Sequence, residues 1–445
     1  MCTNLSSISE KIDKLQPEFL ARQSGFIRSK PQKIGAKAFV LSFMQCIGQQ
    51  GISLSDWAHQ LMLLTNISVS KQAIDQRTCK SRHVDFALSL LQASLSRQLS
   101  TAKTNRSNID WLSPFHRILV QDSSCVQLPR CLATSFEGAP SKANRPTASA
   151  RIQLTADLKN DQVVNIDLNS YRDNDQSYSS AILDVLQAND LVLRDQGYFV
   201  LDVFKQIMEA NAFFLSRLKP NVNVYKPNAE QAIDLLKYGR SMVKKGQTRF
   251  ELPVEIGQKH RLPVRLIAEL LPKDIYQARV DKARKDRHQK AKHSANYLAL
   301  LQWQFLITNA TPERLPQREA YKMYRLRWRI EIFFKCWKSQ FHLQKVMLAQ
   351  KQLNPNRAKI MIYLYLTYIN LVFMKPFMHL ARIVYQKTGK LLSITKWARM
   401  VAMGIVDYHR ILTQKWIEHL ARAATYERRT HRKNHLDLMW EHLFA

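Results

Sequence analysis

Acidic side chains are scarce in this chain. Asp and Glu number 35 against 67 Lys and Arg, a formal net charge of +32. Such an excess says nothing about fold, but it points to a polyanionic partner, because each phosphate neutralised releases counterions. Glycine (11) and proline (15) are also few, which excludes collagen-like and low-complexity chains. The six cysteines are Cys2, Cys46, Cys79, Cys125, Cys131 and Cys336, and none forms a C-x-x-C pair. Zinc knuckles and dithiol redox motifs are therefore absent, and scattered thiols fit a reducing compartment. The N-terminus lacks the apolar core of a secretory signal. The longest apolar run, Ile360 to Met374, contains Thr367 and Asn370 and closes at Lys375-Pro376. It is short for a membrane span and reads as a buried core helix.

What is present is a globular composition, 46% hydrophobic over 445 residues, enough for two to four domains. Residues 1 to about 105 read as helical. Trp57, Leu61 and Leu64 follow a cap-like Ser53-Leu-Ser-Asp. Ile67-Ser-Val-Ser-Lys-Gln-Ala-Ile then resembles the turn and second helix of a helix-turn-helix, with Ser70 as cap and Lys71, Gln72 and Gln76 outward; an ordinary helical bundle fits as well. From about 115 the texture turns to strands: Arg117 to Leu128, then Arg151 to Leu158 and Gln162 to Leu168 as a hairpin around Lys159-Asn-Asp. Ser177 to Ala188 has helix periodicity, and Asp190 to Asp195 and Ala212 to Arg217 are short buried strands. A hairpin run leading into alternating elements predicts a mixed sheet flanked by helices. Residues 216 to about 300 hold strand-like pieces, Phe250 to Ile256 and Leu262 to Leu270. A basic run follows: Lys282, Arg284, Lys285, Arg287, Lys290 and Lys292, a solvated face or a DNA-facing arm. Leu301 to Asn309 reads as a strand and Arg318 to Phe341 as a helix. The last 60 or so residues read as helical and basic, with Arg428-Arg-Thr-His-Arg-Lys near the end.

Three acids stand out. Phosphodiester chemistry by two hard cations needs a few carboxylates on rigid elements within positive surroundings. Asp122 lies inside the first apolar strand, in Val120-Gln-Asp-Ser-Ser, where it either binds metal or caps a turn. Asp195 ends the strand Leu191-Val-Leu-Arg-Asp, as an active-site ligand at a strand end or as a helix N-cap. Glu331 shares a helical stripe with Tyr324, Arg327, Lys335 and Lys338, opposite the apolar stripe Ile330, Phe333, Phe334, Trp337 and Phe341. Alone, that stripe also fits a solvated salt-bridge face.

Tyr324, Arg327, Glu331 and Lys338 match Y-x2-R-x3-E-x6-K. This resembles the YREK signature of DDE transposases of the insertion-sequence-four type, the group of the transposases of composite transposons five and ten. Val120-Gln-Asp-Ser-Ser and Arg194-Asp-Gln-Gly-Tyr-Phe are similar to the first and second acidic motifs, although Gln196 stands where a basic residue is common. Phe19-Leu-Ala-Arg-Gln-Ser-Gly-Phe and Lys71-Gln-Ala-Ile-Asp-Gln-Arg are similar to the N-terminal region. The likeness runs over roughly residues 15 to 375.

The resemblance implies an α/β fold: a ribonuclease H-like catalytic core with a β-rich insertion, flanked by helical N- and C-terminal regions. The division would be 1–110 (helical, DNA-binding), 111–215 (core), 216–300 (insertion), 301–380 (core with the YREK helix) and 381–445 (helical, basic). Asp122, Asp195 and Glu331 would be catalytic and would ligate two Mg²⁺, with Mn²⁺ as a substitute. Tyr324, Arg327, Lys335 and Lys338 would contact DNA. Trp303, on the strand before the YREK helix, would stack on a flipped base, or serve as a core aromatic. The partners implied are inverted-repeat transposon ends and target DNA, bound by a homodimer in the bacterial cytoplasm at the nucleoid. Two other readings are a transposase-derived DNA-binding protein without catalysis and a ribonuclease H-like nuclease that hydrolyses without joining. The intact acidic trio argues against the first. The basic N-terminal region and the long insertion argue against the second.

Overall fold

The computed structural model describes residues 5–29, 34–47, 51–96, 113–140, 145–159, 162–285, 293–347 and 353–426. The end of the N-terminal region near residue 110, the tip of the Lys159-Asn-Asp turn, the basic residues Arg287, Lys290 and Lys292, and the 428–433 stretch lie outside the described residues.

Six helices open the chain: α1 (Leu5–Asp13), α2 (Pro17–Gln23), α3 (Ala36–Cys46), α4 (Leu54–Thr65), α5 (Lys71–Gln76) and α6 (Ser81–Ser96). Helix α4 starts where Ser53 and Asp56 cap each other's backbone, and α5 where the Ser70 hydroxyl accepts from the Ala73 N–H. Ile74 is buried while Lys71, Gln72 and Gln76 are exposed, as the helix-turn-helix pattern requires, although α5 has only six residues. Arg357 ties this region to the rest of the chain. Its guanidinium donates to Thr78 Oγ1 at 3.0 Å and pairs with Asp75.

Alternating residues then build the sheet: β1 (Ile118–Leu128), β2 (Ala148–Asp157), β3 (Gln162–Ser170), β4 (Leu191–Arg194), α7 (Leu201–Glu209), β5 (Phe213–Arg217) and β6 (Val224–Tyr225). There follow α8 (Leu235–Lys244), β7 (Arg249–Ile256), β8 (Leu262–Leu270), α9 (Lys273–Lys285), α10 (Ala295–Leu300) and β9 (Trp303–Thr308). One nine-stranded sheet results, ordered β3-β2-β1-β4-β5-β9-β8-β7-β6. β1, β2 and β3 form an antiparallel meander, whereas β4 and β5 run parallel to β1, linked by a crossover through α7. Residues 216–300 thus extend the central sheet through β8, β7 and β6 rather than forming a separate sheet, and they carry three helices besides.

The chain closes with α11 (Gln317–Arg325), α12 (Trp328–Ser339), α13 (Pro355–Ile369), a π-turn over Asn370–Met374, α14 (Lys375–Thr388), α15 (Ile394–Ala402) and α16 (Gln414–Ala423). One face of the sheet, through Ile118, Val120, Leu193, Leu215 and Leu306, joins these helices and the N-terminal ones in a single apolar core. The opposite face packs Leu119, Val192, Phe214 and Ile307 against α7. The apolar run Ile360–Met374 is interior. The helical stretch Pro355–Thr388 is long and apolar enough to cross a membrane, but most of it is buried against the protein's own core. Asn370 is satisfied there by donating to the Ser94 carbonyl at 2.9 Å.

Two helix expectations need correction. Over Ser177–Ala188 only a 3₁₀ turn forms, Ser179–Asp184. The Ser179 carbonyl is turned toward Arg194, which donates to it at 2.7 Å, and the Ser177 hydroxyl bonds back to the Asn174 carbonyl. Such local and tertiary bonds compete with helix propagation. The helix expected over Arg318–Phe341 is two helices meeting at Leu326-Arg327. The backbone stays right-handed at both residues, but the bonds tighten to i−3: Leu326 to Met323 at 3.1 Å and Ile330 to Arg327 at 3.2 Å. Side chains either side of the joint therefore keep nearly helical spacing.

Candidate active site

Asp122 stands one residue beyond the last β1–β4 pair, Gln121 with Arg194, and Asp195 follows Arg194 directly. Two adjacent parallel strands thus deliver two aspartates to the same edge, where α/β sheets carry their sites. Val120 and Leu193, two residues earlier on the same strands, belong to the core shared with α11 and α12. Alternation puts both carboxylates on the side of those helices. Glu331 meets them there from the first turn of α12.

The three carboxylates converge on one guanidinium. Arg327 Nη1 donates to Asp122 Oδ2 at 2.9 Å. Its Nη2 donates to Glu331 Oε1 at 2.7 Å and lies 3.8 Å from Asp195 Oδ1. The side chain of Arg327 is 9% exposed and that of Asp122 16%; Asp195 and Glu331 are more open. The Tyr324 hydroxyl stands 3.5 Å from Asp195 Oδ1. The adjoining cleft, about 590 Å³, is lined by Asp122, Ser123, Ser124, Asp195, Arg327, Glu331, Phe334, Lys335, Lys338, Ser339 and Gln344. Lys335 is exposed and Lys338 half-buried.

The charge states follow from this geometry. Burial pushes the Asp122 carboxyl up to about 7; Arg327 and the Ser123 N–H pull it back, while Asp195 and Glu331 push it further. Burial alone would lower Arg327, but Asp195, Tyr324, Asp122 and Glu331 carry it above its ordinary value. Burial also holds the Lys338 ammonium below its usual range. Three hard oxygen donors on rigid elements are the ligand chemistry that Mg²⁺ or Mn²⁺ takes. In the arrangement described they meet on Arg327 rather than on one another, and no three His, Cys, Asp or Glu among the described residues close around a common cation position. A cation taken at this position would require Arg327 to release the carboxylates.

Of the expected site residues, Asp122, Asp195, Glu331, Tyr324, Arg327, Lys335 and Lys338 come together. Trp303 does not join them. It is 2% exposed, packed against Phe250 (5.2 Å) and Phe305, and so close under α8 that a Cβ on Gly239 would meet its Nε1 at 2.7 Å. Of the two alternatives for this residue, it is the core aromatic. Phe334 is the aromatic that lines the cleft, and Trp328, one turn before Glu331 on α12, is 54% exposed.

Sequence reading also missed Arg217. The pair Arg194 with Ser216 in the β4–β5 ladder sets Arg217 beside Asp195, and its guanidinium pairs with no carboxylate among the described residues. Its place at the end of a strand parallel to β4 was the available signal. Lys219 lies close by; burial lowers its pKa and Asp195 opposes that shift.

Carboxylates where the parallel β1–β4 ladder ends, beside Lys335, Lys338 and Arg217, which form no ion pair among the described residues, suit a protein that handles phosphate esters, and sequence comparison gives the class. The transposase DDE domain matches residues 113–371, more than half of the length, and the chain belongs to that family. It is 28% identical to the transposase for insertion sequence element IS231F of Bacillus thuringiensis subsp. israelensis, over 91% of this chain and 85% of that protein. It is 29% identical to the IS231B transposase of Bacillus thuringiensis subsp. berliner, over 76% and 74% respectively. The IS1151 transposase of Clostridium perfringens is 27% identical over 76% and 74%.

Proposed function

We propose that the chain cuts DNA at the inverted-repeat ends of its element and joins them to target DNA, a cut-and-paste reaction at Asp122, Asp195 and Glu331. The observation that carries this reading is the convergence of these three carboxylates in one basic cleft. The strand arrangement supports a ribonuclease H-like core, with an antiparallel meander continued by two parallel strands and acids one residue past the end of the β1–β4 ladder. We keep the division into 1–110, 111–215, 216–300, 301–380 and 381–445 as functional segments.

Asp122, Asp195 and Glu331 would hold two Mg²⁺ ions, or Mn²⁺ in their place. When bound, these supply an acidified water or 3′-hydroxyl nucleophile and neutralise charge on the scissile phosphate. The remaining work falls to the chain itself. Arg327, once released from the carboxylates, is placed to donate to two phosphate oxygens in bidentate fashion. Lys335 and Lys338 line the same cleft for the flanking backbone, Tyr324 orients Asp195, and Arg217 and Lys219 offer cations on its other side. Trp328 presents a face on which a base can stack. The exposed polar residues of α5 suit end recognition. Two such chains on paired ends, as a homodimer at the nucleoid, would complete the assembly.

Incubating the protein with labelled end duplexes, plasmid target and Mg²⁺ tests the proposal. Nicked ends and covalent joint products are expected from wild type and from neither Asp122→Ala nor Glu331→Ala. Nicking without joining would favour a nuclease. Binding without either product would leave a DNA-binding protein.

A further inference from the structure

A fourth carboxylate, absent from the acidic trio, touches the surroundings of both aspartates. Asp175 sits in the turn after β3 and meets Ser123, whose side chain alternates with that of Asp122 along β1. Its Oδ1 accepts from the Ser123 hydroxyl at 2.6 Å and from Arg151 Nη1 at 3.1 Å. Arg151, on β2, also donates to Ser123 Oγ at 3.0 Å and to the Tyr171 carbonyl at 3.2 Å, with its guanidinium over the Tyr171 ring. On the other side Asp175 abuts Gly197. A Cβ built there would fall 3.0 Å from Asp175 Oδ2 and 3.3 Å from its Cβ. Ser123 adjoins Asp122 and sends its backbone N–H to Asp122 Oδ1 at 2.8 Å. Gly197 lies two residues past Asp195 in the 3₁₀ turn Gln196–Tyr198.

We propose that Asp175, held by Arg151, is a positioning residue that sets Asp122 and Asp195 relative to each other, and that Gly197 is glycine because the Asp175 carboxylate occupies the space of a side chain. The proposal rests on reading Asp122 and Asp195 as cation ligands. The physical logic is that of outer groups that fix ligating carboxylates. Through Ser123, Asp175 aims the N–H that orients Asp122. Through its contact with Gly197, it fixes the turn that carries Asp195 off the end of β4. Arg151 neutralises it, so its charge does not add to the trio. Asp175 touches no reacting atom and would lose its Ser123 and Arg151 bonds if it swung into the cleft.

The test measures Mn²⁺ binding to the full-length protein by electron paramagnetic resonance, without DNA, alongside the Mg²⁺ half-saturation of end nicking and a thermal melt. Asp175→Ala should weaken Mn²⁺ binding by about 10–100-fold, the usual effect of removing an orienting partner, and raise the Mg²⁺ half-saturation in step. The rate at saturating Mg²⁺ should change little. Asp175→Asn keeps an acceptor for Ser123 and should recover most of the loss. Gly197→Ala, which leaves every hydrogen bond donor and acceptor in place, should reproduce the Asp175→Ala defect and serves if that variant fails to fold. Wild-type Mn²⁺ affinity in both Asp175→Ala and Gly197→Ala, with Asp122→Ala impaired, would overturn the positioning role alone. Wild-type affinity in Asp122→Ala would overturn the ligand reading and this proposal with it.

Discussion

Arg194 and Gln121 lie side by side in the parallel ladder of β4 and β1, and the Arg194 guanidinium donates to the Gln121 carboxamide oxygen at 2.8 Å. Each is followed by one of the site aspartates. Their side chains point to the opposite face of the sheet, so the pair braces the strands from behind just where they deliver Asp122 and Asp195. Arg194 is fully buried, and that burial pushes its pKa down to about 9; the Ser179 carbonyl and hydroxyl are its other acceptors. Gln121→Leu takes one acceptor from a buried cation. It should lower stability to urea by about 1–3 kcal/mol, and the loss should be smaller in Gln121→Glu.

Arg327 acts as the internal counter-ion of three carboxylates. Removing it leaves like charges facing one another, with Asp122 the most buried of them. Because Asp195 and Glu331 are partly exposed and screened, Arg327→Gln should cost only about 1–3 kcal/mol of stability in metal-free buffer. Added Mn²⁺ should raise the melting temperature of Arg327→Gln more than that of wild type, since no guanidinium has to be displaced. An equal rise in both proteins would show that Arg327 does not compete for the site.

Lys335 and Lys338 should act through phosphates rather than bases. Replacing each by alanine should weaken binding to specific and unrelated duplexes alike and reduce the slope of log K against log salt by about 0.9 per lysine. Fluorescence anisotropy over a salt series reads this directly. A loss confined to the cognate end sequence would assign them to base recognition instead.

His83 gives the N-terminal helices a pH dependence. Burial, then Arg82, Arg77 and Lys80, lower its pKa to about 4, and its ring lies edge-on to Phe26 at 5.0 Å. In the unfolded chain it titrates near 6.5. Between those values the unfolded state binds the proton and the native state does not, so stability is full above about pH 6.5 and falls as the pH drops toward 4. Thermal melts across that window should show the loss in wild type and a flatter profile in His83→Leu.

Much of the sheet and of the candidate site's placement was legible because it is local. Alternation marked β2 and β3, short apolar β-favouring runs marked β1, β4, β5 and β7 to β9, and the stripe from Tyr324 to Lys338 placed Glu331 among cations. The joint at Leu326-Arg327 was not legible, because the backbone there stays right-handed and the spacing hardly changes. Trp303 and Trp328 could not be ranked by sequence, since an aromatic reads alike whether β7 covers it or solvent does. The partners of Asp175, 52 residues from Ser123 and 24 from Arg151, depend on sheet register, as does the placing of Arg217 beside Asp195. No periodicity encodes such meetings.

The central claim is that Asp122, Asp195 and Glu331 form one cation site. Iron(II) taken up in place of Mg²⁺ is oxidised to iron(III) by added hydrogen peroxide, which it splits into hydroxide and a hydroxyl radical; the radical cuts the polypeptide near the ion, and the fragments can be mapped by mass. The account predicts cuts clustered around residues 122, 195 and 331, suppressed by excess Mg²⁺ and lost in Asp122→Ala. Cuts that map elsewhere, or that persist unchanged in Asp122→Ala, would contradict it.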